Sequence, residues 1–272
     1  MRGNGAYLFA DGQDEEQRLT TQATALDPLT ARVFDRAGLA PGMTVLDLGT
    51  GAGDVAALAA AAVGPTGHVV GIDKDPAALE RARRKTAHLP NTEYRHVDID
   101  DLDGMDETFD AVVGRFVLTH VPDPARALAA AARRLRPGGL LCAHEPDLTY
   151  RWTSRPTPLW TQVRGWILDT LERGGVHTDL GPALLPVFRE AGLPDPGLLL
   201  EAPIGSGDTS PAFGWANIIS VLLPIMETMG TAPDEPVDTD TLRGRLDAEA
   251  AEYDSAVLGP LVYGAWCTVP GS

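Results

Sequence analysis

The chain has 272 residues, 44% of them hydrophobic, and a formal net charge of −16. That size and apolar share suit one large α/β domain or a core domain with a cap, and they exclude disorder over the whole length. The acidic balance argues against a nucleic-acid partner, and two cysteines in apolar runs, Cys142 and Cys267, supply neither a disulfide framework nor a metal site.

There is no signal-like apolar stretch and no apolar run near 18 residues, so a cytoplasmic protein without a membrane partner is expected. Residues 20–37 place Ala25, Leu26, Leu29, Val33 and Phe34 at a helical period, with Pro28 read as a helix start. Residues 38–42 end that helix and lead into a first strand. Residues 55–63, rich in alanine, form the next helix, and Val69-Val70-Gly71-Ile72-Asp73 is a second strand. A helix over 77–88 follows the Asp75-Pro76 start signal. Strands are expected at 92–97, 109–113 and 140–143, with a helix over 124–135. The second half reads as helices over 158–173, 181–191, 210–229 and 238–253, with strands at 198–203 and 261–269.

Alternating strands and helices argue for a parallel doubly wound sheet, with its binding crevice at the carboxyl ends of the strands. Asp47 to Gly53, Asp73, Asp98-Ile99, Gly114-Arg115 and His144-Glu145 all fall at such ends. Gly49 and Gly51 let the backbone approach a ligand closely. A dinucleotide turn carries a third glycine beside the pyrophosphate, and here Asp54 holds that place. Together with Asp47 and Asp73, this acid favours a cationic ligand without phosphate. S-adenosylmethionine, with its ammonium, sulfonium and ribose, fits that description. A carboxylate at Asp73 can accept from both ribose hydroxyls.

These motifs together resemble class I S-adenosylmethionine-dependent methyltransferases, in the small-molecule group similar to quinone-biosynthesis enzymes. The carrying segments are VLDLGTGAGD (45–54), GIDKDP (71–76), VDIDDL (97–102), FDAVVGRFVLTHVPDP (109–124) and LRPGGLL (135–141). ALLPVFREAGL (183–193) and VYGAWCTVP (262–270) fit more loosely. The resemblance implies a Rossmann-like doubly wound seven-stranded sheet, its last strand antiparallel, with helical lid segments at the N-terminus and after strand five. The division that follows is a helical lid over 1–40, a cofactor-binding core over 41–147, an acceptor lid and helices over 148–197, and over 198–272 the completion of the sheet with inserted helices.

The same resemblance implies that Gly49, Thr50, Gly51 and Gly53 wrap the methionine and ribose, with Asp47 orienting the ammonium. It places Asp73 on the ribose hydroxyls, Lys74 beside the adenine, Asp98 on the adenine amino group and the Ile99 backbone beside the ring. The Arg115 carbonyl meets the ammonium, and Tyr7, Arg18 and Gln22 on the N-terminal lid reach the cofactor or acceptor.

Methyl transfer needs a base only where the acceptor keeps its proton until attack. His144, Glu145 and His177 are the candidates, with Tyr150 nearby in sequence. No metal-ligand cluster is seen. The Trp-, Phe-, Leu- and Pro-rich segments 1–30 and 148–230 point to an apolar or aromatic small-molecule acceptor. Transfer to O, N or C is open, as is monomer or homodimer. The alternatives are a cofactor-binding scaffold or cyclase that transfers no methyl group and, against Asp54, an NAD-dependent oxidoreductase.

Overall fold

The computed structural model describes residues 13–271 except Ala212 and Asp234, with side chains from Gln22 onward. In chain order the elements are α1 (Gln13–Ala37), β1 (Thr44–Leu48), α2 (Asp54–Val63), β2 (His68–Asp73), α3 (Pro76–Lys85) and β3 (Thr92–His96). Next come β4 (Phe109–Arg115), α4 (Pro124–Ala132), β5 (Leu135–Asp147), α5 (Pro158–Arg173), α6 (Leu180–Glu190) and β6 (Gly197–Glu201). The chain continues through β7 (Ile204–Gly205), α7 (Trp215–Met229), α8 (Thr239–Glu252), β8 (Val257–Leu258) and β9 (Leu261–Thr268). No helix among the described residues is long and apolar enough to cross a membrane.

The chain divides into two compact units, each built from separate segments. The sheet unit comprises Asp27–Glu145, Leu180–Leu200 and Val262–Ser272. Its seven strands run in the order β3-β2-β1-β4-β5-β9-β6, parallel from β3 to β5 and with the last strands antiparallel.

Apolar runs bounded by turns make these strands, and a two-residue period sends their side chains to opposite faces. Leu46, Leu48, Val70, Ile72, Val112 and Leu141 pack on one face with Leu128 of α4 and Leu184 and Phe188 of α6. Val45, Val69, Ala111, Val113 and Cys142 pack on the other, with Val33 and Phe34 of α1, Ala56 and Ala59 of α2, and Leu79 of α3. Both faces are covered, so polar side chains at the ends of the central strands are drawn inside.

The helical unit comprises Pro146–Asp179 and Glu201–Leu261, with the described residues up to Leu26. In it α5, α7 and α8 pack on one another, and β7 pairs antiparallel with β8. Trp152 stacks on Trp215 with ring centroids 3.6 Å apart and an interplanar angle of 12°. The indole N–H of Trp215 donates to the Leu258 carbonyl at 2.9 Å, and that of Trp160 to the Leu246 carbonyl at 2.9 Å. Buried indoles need such partners. The Thr157 side chain makes no capping bond at the start of α5. Instead, Glu249 of α8 accepts from the amides of Leu159 at 2.8 Å and Trp160 at 3.1 Å.

Several sequence expectations are corrected. The first helix begins at Gln13, and Pro28 lies inside it rather than starting it. A proline removes its own N–H from the ladder, and helix-forming turns on both sides carry the helix past it. The fifth strand runs from Leu135 to Asp147, well beyond 140–143. The β7–β8 pair was not expected from the sequence. α6 belongs to the sheet unit, because Leu184 and Phe188 pack on the sheet. Between β6 and β9, residues 201–261 belong to the helical unit.

Candidate functional site

The chain leaves β1 through a turn whose three glycines, Gly49, Gly51 and Gly53, have φ of 54°, 53° and 84°. Side-chain-bearing residues rarely adopt that left-handed region. The Thr50 amide donates to the Ile72 carbonyl at 2.8 Å and fixes the turn to β2. A Cβ on Gly49 would stand 2.8 Å from a Val117 methyl, whereas one on Gly51 would meet nothing nearer than the Gly49 carbonyl at 4.0 Å. The turn is packed on one side and open at Gly51.

Asp47 is fully buried at the end of β1. Its Oδ2 accepts from the Thr50 hydroxyl at 2.6 Å, while its Oδ1 has no hydrogen-bond partner. Burial pushes this carboxyl up to about 7, against the Thr50 hydrogen bond and the Arg115 charge. A buried acceptor without a donor is costly, and a cationic or N–H-bearing ligand would relieve it.

Asp73, half-buried at the end of β2, is oriented by two main-chain bonds. The Gly51 amide donates to its Oδ2 at 2.9 Å and the Asp75 amide to its Oδ1 at 2.9 Å. Each carboxylate oxygen keeps further acceptor capacity. Lys74 beside it is exposed, and its carbonyl lies 3.0 Å from His96 Nε2. Asp98 caps the 3-10 turn Ile99–Gly104 by accepting from the Asp100 amide at 3.1 Å. One of its oxygens is thus engaged in the fold. Asp54 forms an ion pair with Lys85 of α3, which offsets the negative charge the sequence places at the third-glycine position.

β4 ends beside β5, with Arg115 paired to His144 in register. The Arg115 side chain reaches α1, donating to Asp27 Oδ1 and Thr30 Oγ1, each at 2.9 Å. His144 is buried, with Nδ1 3.1 Å from Thr30 Oγ1. Burial and the nearby Arg115 charge depress its pKa to about 3. Glu145 is fully buried, and its carboxylate accepts from three main-chain amides, Val117, Leu118 and Thr119. Two of the three residues read from sequence as candidate bases, His144 and Glu145, are therefore tied into the fold. Central strands covered on two faces turn both of them inward.

Among the sheet-unit candidates, the structure brings together Asp47, Thr50, the three glycines and Asp73. His177 lies in the helical unit, partly buried, in the segment that follows α5 in sequence. Gln22 on α1 is buried. Tyr7 and the Arg18 side chain lie outside the described residues. Sequence reasoning missed Asp27, Thr30 and Lys85, because each is joined to its partner across long stretches of chain and no spacing rule connects them. It also missed Tyr94, whose hydroxyl accepts from Thr86 at 3.0 Å and would lie 2.9 Å from a Cβ on Gly53. Among the described residues, no group of three or more His, Cys, Asp or Glu converges as a metal site requires.

A family model described as a methyltransferase domain matches residues 39–175. An arsenite methyltransferase of Halobacterium salinarum is 43% identical over 105 residues, 38% of this chain and 27% of that protein. A demethylmenaquinone methyltransferase of Staphylococcus aureus is 38% identical over 133 residues, 48% of this chain and 52% of that protein. The chain thus spans about half or less of the length of the curated relatives it matches. The crystal structure of a SAM-dependent methyltransferase from Aquifex aeolicus superposes with a TM-score of 0.53 at 15% identity. That match covers 95% of this chain and 100% of the other, and it shows the shared fold.

Proposed function

The chain belongs to the methyltransferase-domain family, and on that premise we propose that it methylates a small apolar or aromatic molecule using S-adenosylmethionine. The observation that carries this reading is the buried Asp47, whose Oδ1 lacks a donor, beside an open glycine turn and a doubly anchored Asp73. When bound, the cofactor supplies a sulfonium methyl for in-line displacement and leaves as S-adenosylhomocysteine.

The protein's work is binding and alignment. Asp47 offers its free oxygen to the ammonium end, and the Arg115 carbonyl does the same from β4. Gly49, Thr50, Gly51 and Gly53 line the methionine and ribose portion. Asp73 accepts from the ribose hydroxyls, Lys74 flanks the adenine, and Asp98 with the Ile99 backbone borders the ring. Holding an acceptor in line accounts for about 7–11 kcal/mol of such a barrier. His144 and Glu145 are assigned no base role, because both are buried and three main-chain amides engage the Glu145 carboxylate. His177 remains the candidate base for an acceptor that arrives protonated.

The test is calorimetric titration with S-adenosylmethionine, S-adenosylhomocysteine and NAD, beside Asp73→Ala. Binding of the two adenosyl ligands, weakened at least tenfold in the variant, is the expected result. Binding of NAD alone, or of none of the three, overturns the reading.

A further inference from the structure

Three consecutive main-chain amides converge on one buried side chain in the sheet unit. Glu145 Oε1 accepts from Val117 at 3.0 Å and Leu118 at 2.9 Å, and Oε2 accepts from Thr119 at 3.2 Å. These amides belong to the segment that leaves β4 and enters the 3-10 turn Leu118–His120. The segment is bent sharply. Phe116 has φ of 57°, a left-handed conformation that a residue with a Cβ resists. Its own amide donates to the His144 carbonyl at 2.9 Å, so β5 holds the bend from two successive residues.

The bend has a destination. Val117 stands where a side chain on Gly49 would be, with its methyls 2.8 and 3.0 Å from that Cβ position. The glycine turn is thus walled by a residue whose own backbone is fixed by Glu145. A carboxylate suits this task better than an amide. It presents acceptors to all three N–H groups, whereas glutamine would aim its own NH2 at one or two of them.

We propose that Glu145 is a positioning residue for the cofactor site: it clamps Val117–Thr119, and through Val117 it holds the Gly49–Gly53 turn in its binding geometry. The proposal rests on the reading of that turn as the S-adenosylmethionine site. It replaces a base role for Glu145 with a static one, exerted through main chain and one valine. The residue touches no reacting atom.

The test uses the full chain with Glu145→Gln and, separately, Val117→Ala, read by amide hydrogen exchange and by titration with S-adenosylhomocysteine. A core variant on α6, Leu184→Val, controls for general loss of stability. In Glu145→Gln, exchange at residues 117–119 and at Thr50, Gly51 and Gly53 should quicken at least tenfold. The dissociation constant for S-adenosylhomocysteine should rise about tenfold. Val117→Ala should quicken exchange at the glycine turn while leaving 117–119 protected, and Leu184→Val should leave affinity unchanged. Unchanged exchange at the glycine turn in both variants overturns the proposal. So does wild-type affinity in Glu145→Gln, and so does an equal loss of affinity in Leu184→Val. Wild-type protein that fails to bind S-adenosylhomocysteine refutes the cofactor reading, while the exchange data still decide whether Glu145 holds the turn. Should Glu145→Gln fail to fold, Val117→Ala carries the test alone.

Discussion

Gly49→Ala should be among the more damaging single-methyl additions in the sheet unit, and its cost can be worked out from two separate sources. The backbone there has φ of 54°, which costs an alanine roughly 1–2 kcal/mol. The added Cβ also meets the Val117 methyls at 2.8 and 3.0 Å. Overpacking of that kind costs about 1–3 kcal/mol, and Val117 has little room to yield because its amide is bonded to Glu145 at 3.0 Å. The sum is about 2–5 kcal/mol. Gly51→Ala separates the two sources, since its φ is nearly the same, 53°, yet its Cβ would meet nothing nearer than the Gly49 carbonyl at 4.0 Å. Urea denaturation should therefore show about 1–2 kcal/mol lost in Gly51→Ala and about 1–3 kcal/mol more in Gly49→Ala. Adding Val117→Ala to Gly49→Ala should recover most of that excess, a coupling visible in a double-mutant cycle. Equal losses for the two glycine variants, or no recovery in the double variant, would refute the steric part of the reasoning.

Stability should fall between pH 6.5 and 8. Burial pushes Asp47 up to about 7, so the folded chain keeps a proton that the unfolded chain has released, and raising the pH removes that advantage. His144, depressed to about 3, acts in the opposite sense, and its effect is confined to pH values below its ordinary range near 6.5. Melting temperatures across this window should decline, and Asp47→Asn should flatten the slope; a wild-type curve that rises from pH 6.5 to 8 contradicts it. In the helical unit, Glu249→Ala should cost about 1–2 kcal/mol, because it removes the carboxylate that accepts from two amides at the start of α5. A loss indistinguishable from zero in urea denaturation would mean that solvent serves those amides equally well.

The strands of the sheet unit were legible because each is a short apolar run closed by glycine, proline or an acid. The glycine turn was legible because a left-handed backbone leaves its mark in residue type. Other features were not, for reasons that differ. Alternation along a strand says that neighbours point to opposite faces, but not whether both faces are covered. His144 and Glu145 therefore read as groups at the crevice end of a strand, and both are inside. The cap that Asp98 forms depends on a 3-10 turn that no periodicity announces. Asp54 read as free negative charge, and its partner Lys85 lies 31 residues along the chain. The carboxylate that serves the start of α5 comes from a helix about 90 residues later, beyond the reach of any local capping pattern.

The strand order has a consequence for the nascent chain. β9 lies between β5 and β6 in the sheet, yet it follows both in sequence. Strands β1 to β5 can assemble as they leave the ribosome, because each finds its neighbours among segments already made. β6 cannot, since its hydrogen-bonded partner is synthesised some 60 residues later. Until then the free edge of β5 stays open to any extended segment, and Leu198 and Leu200, about half exposed even in the finished fold, wait in water. Such unpaired edges invite association between incomplete chains. Translation pauses or truncations that fall between β6 and β9 should therefore yield aggregates rather than a smaller folded core.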